Sequence, residues 1–237
     1  MEVIGLLGGM SWESTATYYN RINQQIRAKC GGLASAKILL HSFNFEDVVA
    51  LQKRGDWDGA AKLLSNAARA LEWSGAGIIL ICTNTMHKVA DDVARRITVP
   101  LLHIGDVTGA ALAKAGKKKP LLLATAYTME QNFLKSRYAE NFGIETMIPD
   151  KTGRQCVHDT IFGELCQGIV CDQSRTRFVD IAQKAKQQGA DSIILGCTEI
   201  GLLVSEKDLP LPVFDTTTLH ADAAADWALG RAATRAA

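Results

Sequence analysis

What this chain lacks narrows its reading first. Its six cysteines, Cys30, Cys82, Cys156, Cys166, Cys171 and Cys197, contain no Cys-x-x-Cys pair. Neither a zinc ribbon nor a thioredoxin-type redox motif is therefore indicated. No apolar run approaches the roughly 20 residues that span a bilayer. The start, Met1-Glu2-Val3-Ile4-Gly5-Leu6-Leu7, has no basic segment and meets Gly8-Gly9 too early for the apolar core of a signal peptide. The thiols accordingly read as free, in a cytoplasmic protein. Charge is almost balanced, with a formal net value of +1. No long-range field marks the chain as a binder of nucleic acid, anionic membrane or acidic protein, and a small-molecule partner is expected. The five histidines, His41, His87, His103, His158 and His220, are scattered and give no metal-ligand pattern. Gly5 to Gly9 lacks the G-x-G-x-x-G spacing of a dinucleotide site.

What is present is an alternation. Apolar residues make up 47% of 237 residues, enough for one large domain or two modest ones. Val3 to Leu7 reads as a strand that leads through Gly8-Gly9-Met10-Ser11 into a helix near Glu13, with Ser11 placed to cap it. A second strand is expected over Ala36 to His41. Ala60, Leu63, Leu64, Ala67 and Leu71 recur at helical spacing between Asp56 and Trp73. An apolar strand after Gly77 leads to a helix over His87 to Arg96, then a Val99-Pro100 break and a strand over Leu101 to Ile104. Such alternation predicts an α/β protein with doubly wound parallel sheets.

From Pro120 the pattern starts again. Leu121 to Thr125 leads to Thr128-Met129-Glu130 much as Ile4 to Leu7 leads to Met10-Ser11-Trp12-Glu13. A strand is expected over Ile144 to Ile148 and a helix over Gln173 to Gln188. Ser192 to Leu195 then matches the strand after Gly77, and Leu209 to Asp215 matches Val99 to Asp106. Three correspondences in one order indicate an internal duplication.

In open α/β sheets chemistry gathers beyond the carboxyl ends of the strands. Cys197 stands at one such end and Thr83 at the other. Two similar halves set face to face would put them on opposite sides of a cleft. That arrangement suits removal of a proton from one face of a carbon and its return to the other. Pairing Cys82 with Cys197 instead would supply two thiols, but alternation along a strand turns Cys82 away from the face of Thr83.

Gly8-Gly9-Met10-Ser11, Thr83-Asn84-Thr85-Met86-His87 and Gly196-Cys197-Thr198-Glu199 resemble signature segments of the aspartate/glutamate racemase family, which are cofactor-independent. The resemblance extends over nearly the whole chain, through LLGGMSWEST, LLHS, Gln52-Lys53-Arg54-Gly55, CTNTMHKVAD, TMEQ, GCTEIGLLV and LPVFDT. It implies two flavodoxin-like parallel-sheet domains related by pseudo-two-fold symmetry, with the active site in the cleft between them. The expected division is residues 1–98 plus 211–237 as one domain and 99–210 as the other. The resemblance further implies catalysis by Thr83 and Cys197, and substrate binding by Met10, Gln52, Asn84, Thr85, Thr125, Thr128 and Thr198. Glu199 either polarises Cys197 or caps a helix. Lys53 and Arg54 either meet a side-chain carboxylate or are simply solvated. His87 reads as a packed or capping histidine. No cofactor and no metal are implied, and a homodimer is. The chain departs from the family's usual pattern at Thr83, where a cysteine normally stands; a hydroxyl is a far weaker acid than a thiol. The expected activity is interconversion of L- and D-aspartate or glutamate. A racemase of broader range, a dicarboxylate isomerase or decarboxylase, and a non-catalytic amino-acid-binding module are the alternatives.

Overall fold

The protein, seen here in a computed structural model that describes residues 1–231, forms two compact α/β units. One comprises residues 1–104 with the segment from His220 onward; the other comprises residues 105–219. These limits differ from the expected 98/99 and 210/211 because of strand pairing. Leu101 and Leu102 pair with Ile79 and Leu80, while Val213 to Asp215 pairs with Ile193 to Leu195.

In the first unit β1 (Val3–Gly8), β2 (Lys37–Ser42), β3 (Ile78–Ile81) and β4 (Leu101–Leu102) form a parallel sheet in the order β2-β1-β3-β4. β3 is buried along its whole length, which is why its sequence is a continuous aliphatic run without polar alternation. Side chains still alternate between two cores. Ile4, Leu6, Ile78, Leu80 and Cys82 pack with Tyr18, Ile22 and Ile26 of the helix Trp12–Cys30 and with Ala221, Ala224, Ala225 and Ala228 of the helix Thr216–Ala228. Leu7, Ile79 and Ile81 face the opposite core, with Leu64, Ala68 and Leu71 of the helix Trp57–Trp73. The Trp12–Cys30 helix begins as expected, with the Ser11 side chain accepting from the Ser14 N–H at 3.3 Å. Gly9 makes the turn before it at φ +80°, with the Phe43 backbone so close that any Cβ would overlap it.

In the second unit β5 (Pro120–Leu123), β6 (Ser192–Leu195) and β7 (Val213–Asp215) lie parallel in that order. The strand expected over Ile144 to Ile148 shrinks to one parallel bridge, Met147 to Leu121. It is held by Leu122 N–H to Met147 C=O and Met147 N–H to Pro120 C=O, both 2.8 Å. Two other elements also depart from expectation. Residues Thr85–Val89 form a 3₁₀ turn followed by a five-residue helix, Ala90–Ala94, in place of one helix over His87 to Arg96. The strand at Leu101 stops after two residues because Ile104 already opens the helix Ile104–Lys114.

The repeat inferred from sequence is visible in the pairing. Going across each sheet, β2, β1, β3 and β4 correspond to the Met147 bridge, β5, β6 and β7, all parallel and in the same order.

His220 ties the first unit together. Its Nε2 lies 2.9 Å from the Leu102 carbonyl and its Nδ1 2.8 Å from the Tyr18 hydroxyl. A carbonyl only accepts, so Nε2 carries the ring proton and Tyr18 donates to Nδ1. Burial pushes the imidazole pKa down from its ordinary 6.5 to about 4. In that window the unfolded chain takes up a proton that the folded chain refuses. Acidification from about pH 6.5 to 4 should therefore remove up to about 3 kcal/mol of stability through this group. Urea unfolding at pH 7 and at pH 4.5 checks this; His220→Asn should be less stable at pH 7 and should show a shallower fall.

Candidate active site

Each unit places a polar side chain where its central strand leaves the sheet. In the first, Leu7 pairs with Ile81, and two residues beyond on β3 stands Thr83. In the second, Leu123 pairs with Leu195, and two residues beyond on β6 stands Cys197. Thr83 and Cys197 thus occupy equivalent register positions, and the equivalent of Cys82 is Gly196. The neighbouring strands agree, because Leu80 pairs with Leu102 as Ile194 pairs with Phe214. Gly196 has no room for a side chain: a Cβ would lie 2.9 Å from Leu122 Cδ1 and 3.0 Å from Ala124 Cβ.

The two thiols near these ends have different surroundings. Cys82 is wholly buried in the Tyr18 core, and burial alone pushes its pKa far up. Its carbonyl is held by the Ser14 hydroxyl at 3.0 Å. Burial in this core disfavours a thiolate, so Cys82 serves as a small apolar side chain. Cys197 is half-buried, and its Sγ–H donates to Glu199 Oε2 at 3.0 Å. Its pKa is raised well above the ordinary value, first by burial, then by the Glu199 charge and by the hydrogen bond to that carboxylate. The resting group is a thiol with a proton acceptor already in contact. Glu199 itself is buried and makes no side-chain capping bond to the helix Ile200–Leu203. Of the two readings of Glu199, its observed geometry is that of a partner to Cys197.

The other residues singled out from sequence fall into small groups within each unit. Met10 and Met86 share one core cluster, and the Gln52 amide, at the end of the helix Phe45–Arg54, reaches Met86 Sδ at 3.1 Å. Asn84 and Thr85 are buried in the turn directly after Thr83. Lys53 and Arg54 are exposed in the last helical turn, where cations complement the dipole. In the second unit Thr198 is half-buried beside Cys197. Thr125 follows β5 as Cys197 follows β6, and its hydroxyl lies 3.4 Å from that of Thr128. Among the described residues no group of His, Cys, Asp or Glu could hold a metal ion, and no helix is long and apolar enough to cross a membrane.

Three contacts near these strand ends were not read from sequence. Lys88 lies over the Trp57 ring at 3.9 Å, and burial lowers its pKa. The Thr216 hydroxyl donates to the Leu195 carbonyl at 2.9 Å, as Ser14 does to Cys82. His87 places Nδ1 2.8 Å from the Thr83 carbonyl. Only the last had a legible signal, since a residue four positions on can reach back to a strand-end carbonyl.

A carboxylate-bound thiol at the end of a strand in a parallel α/β unit suits chemistry that moves a proton, and the proteins this chain is similar to are racemases, a class of isomerases. The chain belongs to the Asp/Glu/hydantoin racemase family, whose model matches residues 7–224. It is similar to a Yersinia pestis protein assigned as an Asp/Glu racemase, with 52% identity and a TM-score of 0.92 over 97% of this chain and 100% of that one. An aspartate racemase homologue from Pyrococcus horikoshii OT3 is 33% identical, with a TM-score of 0.85 over 97% and 100% of the two chains. The broad specificity amino-acid racemase RacX of Bacillus subtilis (strain 168) is 22% identical over 218 residues, 91% of this chain and 93% of that protein.

The Cys197–Glu199 pair sets an expectation for thiol reactivity. Glu199→Gln removes the charge that opposes thiolate formation, so the pH midpoint for Cys197 alkylation by iodoacetamide should fall, with Cys82 unreactive in both proteins. Mass-spectrometric peptide mapping across pH checks it; an unchanged midpoint would mean that Glu199 does not govern the thiol.

Proposed function

We propose that the protein is an amino-acid racemase for aspartate or glutamate that needs no pyridoxal phosphate and no metal. The observation that carries the reading is the Cys197 thiol donating to the buried Glu199 carboxylate at a strand end. On approach of an L-substrate, Glu199 takes the thiol proton and the resulting thiolate abstracts the α-proton. The carbanion then accepts a proton on its other face from the Thr83 hydroxyl; Thr83 recovers one from water, and Glu199 passes the proton it took to the hydroxide so formed, which restores the thiol–carboxylate pair. Asn84, Thr85 and Thr198, in the turns beside the two reacting groups, hold the α-carboxylate by hydroxyl, amide and backbone N–H donors. Met10, Gln52, Thr125 and Thr128 bound the substrate. The shared register of Thr83 and Cys197 supports their assignment as the opposed pair. Assembly as a homodimer belongs to the same reading and is checked by light scattering.

The choice of dicarboxylic amino acids follows the names of the Yersinia and Pyrococcus relatives; RacX favours a broader range. A panel of L- and D-amino acids, assayed without added cofactor and after dialysis against a chelator and a carbonyl reagent, separates these. Full activity after both treatments is expected. A requirement for pyridoxal phosphate or metal would refute the proposed mechanism. Exchange of the α-hydrogen with deuterated solvent distinguishes an enzyme from a binding module.

Cys197→Ala should remove turnover while leaving the fold intact, because exchanging a small thiol for a methyl removes little packing. Direction is also constrained. Enantiomers have equal free energies in water, so kcat/KM is the same both ways, and only kcat and KM can differ separately. Thr83 is a poor base for the D-enantiomer. Turnover should be readily seen from the L-side, and slow from the D-side with a correspondingly low KM, making the D-enantiomer a tight inhibitor. Thr83→Cys should raise the D-side kcat; equal kcat values in the wild type would remove Thr83 as the limiting group.

A further inference from the structure

The Thr83 strand end is held by a histidine whose two ring nitrogens both engage backbone groups. His87, buried in the 3₁₀ turn that follows, lies with Nδ1 2.8 Å from the Thr83 carbonyl and Nε2 3.1 Å from the Ile104 backbone nitrogen. The Ile104 N–H can only donate, so Nε2 is bare; the Thr83 carbonyl can only accept, so Nδ1 bears the proton. The two bonds leave one tautomer of a neutral ring. They tie the backbone of Thr83 to the residue where β4 turns into the helix Ile104–Lys114. That junction is itself anchored, since the Leu102 carbonyl receives His220 Nε2–H, and Tyr18 donates to the other nitrogen of His220. The rings of His103 and His220 pack edge-on against His87 at 4.6 and 5.7 Å between centroids.

We infer that His87 is a positioning residue for Thr83. It aims the hydroxyl by holding the Thr83 carbonyl, and so governs the proton transfer at that face without taking part in the one at Cys197. The inference rests on the racemase reading and on Thr83 as the group opposed to Cys197. A neutral ring suits the task, because it holds one acceptor and one donor at once, whereas an imidazolium would have to release Ile104. Thr83 needs such a hold more than Cys197 does: a hydroxyl reacting as a weak acid depends on alignment for whatever rate it delivers.

The two half-reactions can be read apart. In deuterated water, loss of the α-proton from L-aspartate or L-glutamate reports abstraction by Cys197, and chiral chromatography reports delivery on the other face. His87→Leu should lower racemisation about 10- to 100-fold while solvent exchange into the retained L-enantiomer stays within about twofold of wild type. His87→Asn, whose amide can put an N–H where Nδ1–H stood, should recover most of the racemisation. Nitrogen-15 NMR of the wild type should show His87 as the Nδ1–H tautomer. Unchanged racemisation in His87→Leu overturns the inference. So does a parallel fall of exchange and racemisation that His87→Asn does not relieve, which is the mark of a merely structural prop, or an Nε2–H tautomer. A wild type that neither exchanges nor racemises any amino acid overturns the racemase reading itself, a failure recognisable before any variant is made.

Discussion

A parallel strand covered on both faces gives every side chain to one core or the other, and this constraint organises the chain. Along β3 the residues Ile78, Leu80 and Cys82 enter one core and Ile79 and Ile81 the other. A side chain escapes both only where the strand leaves the sheet, while the backbone is still held by the last ladder bonds. Thr83 is that residue in the first unit and Cys197 in the second. A reacting group at such a point inherits the rigidity of the sheet without being entombed by it, which is the physical reason strand ends host chemistry in α/β proteins. The carbonyls around it are fastened by hydroxyls from helices, Ser14 onto Cys82 and Thr216 onto Leu195.

The same constraint separates chemically identical groups. Cys82 and Cys197 both have raised pKa values, yet for different reasons and with different consequences. Cys82 is buried in a largely apolar core, which disfavours the charge its thiol would take on by losing a proton. Beside Cys197 the carboxylate that disfavours the thiolate at rest is also the acceptor in contact with the thiol proton. An acidic neighbour is thus no contradiction of a basic role. In the proposed mechanism it keeps the thiol protonated at rest and takes its proton when substrate arrives. The histidines follow a parallel logic: His220 and His87 are neutral rings whose two nitrogens each have an assigned partner, used as braces.

Much of this was legible in the chain itself. β3, β5 and β6 carry short aliphatic runs, and β1 one interrupted by Gly5, each bounded by Gly, Pro or small polar residues, and runs so short with such flanks read as buried strands. The repeat was visible as the recurrence of those runs in one order, and Ser11 announced its helix. Errors arose where local pattern and tertiary demand diverged. Ile144 to Ile148 looks like a strand by composition, but only Met147 reaches Leu121. His87 to Arg96 has helical periodicity, yet its first turn is wound tightly as 3₁₀ where the His87 ring is bound to Thr83 and Ile104. Assigning β4 and β7 to domains required knowing their pairing partners, which lie about twenty residues earlier on the chain and carry no local mark.

The sequence by itself determined the class of fold, the two strand ends and the identity of the groups standing there. These follow from hydrophobic runs, turn residues and a two-residue alternation, all of them properties of near neighbours along the chain. Only the tertiary structure decided what surrounds each group. Glu199 could have capped its helix or met the thiol, and the two choices differ by a side-chain torsion. Gly196, not another thiol, is the counterpart of Cys82 in the repeat because Leu122 and Ala124 fill the space where a side chain would go. His87 braces Thr83 because Ile104, seventeen residues on, turns its N–H toward the ring. Contacts of that kind are set by how separate elements pack, and packing is a property of the whole fold that no local stretch of residues encodes.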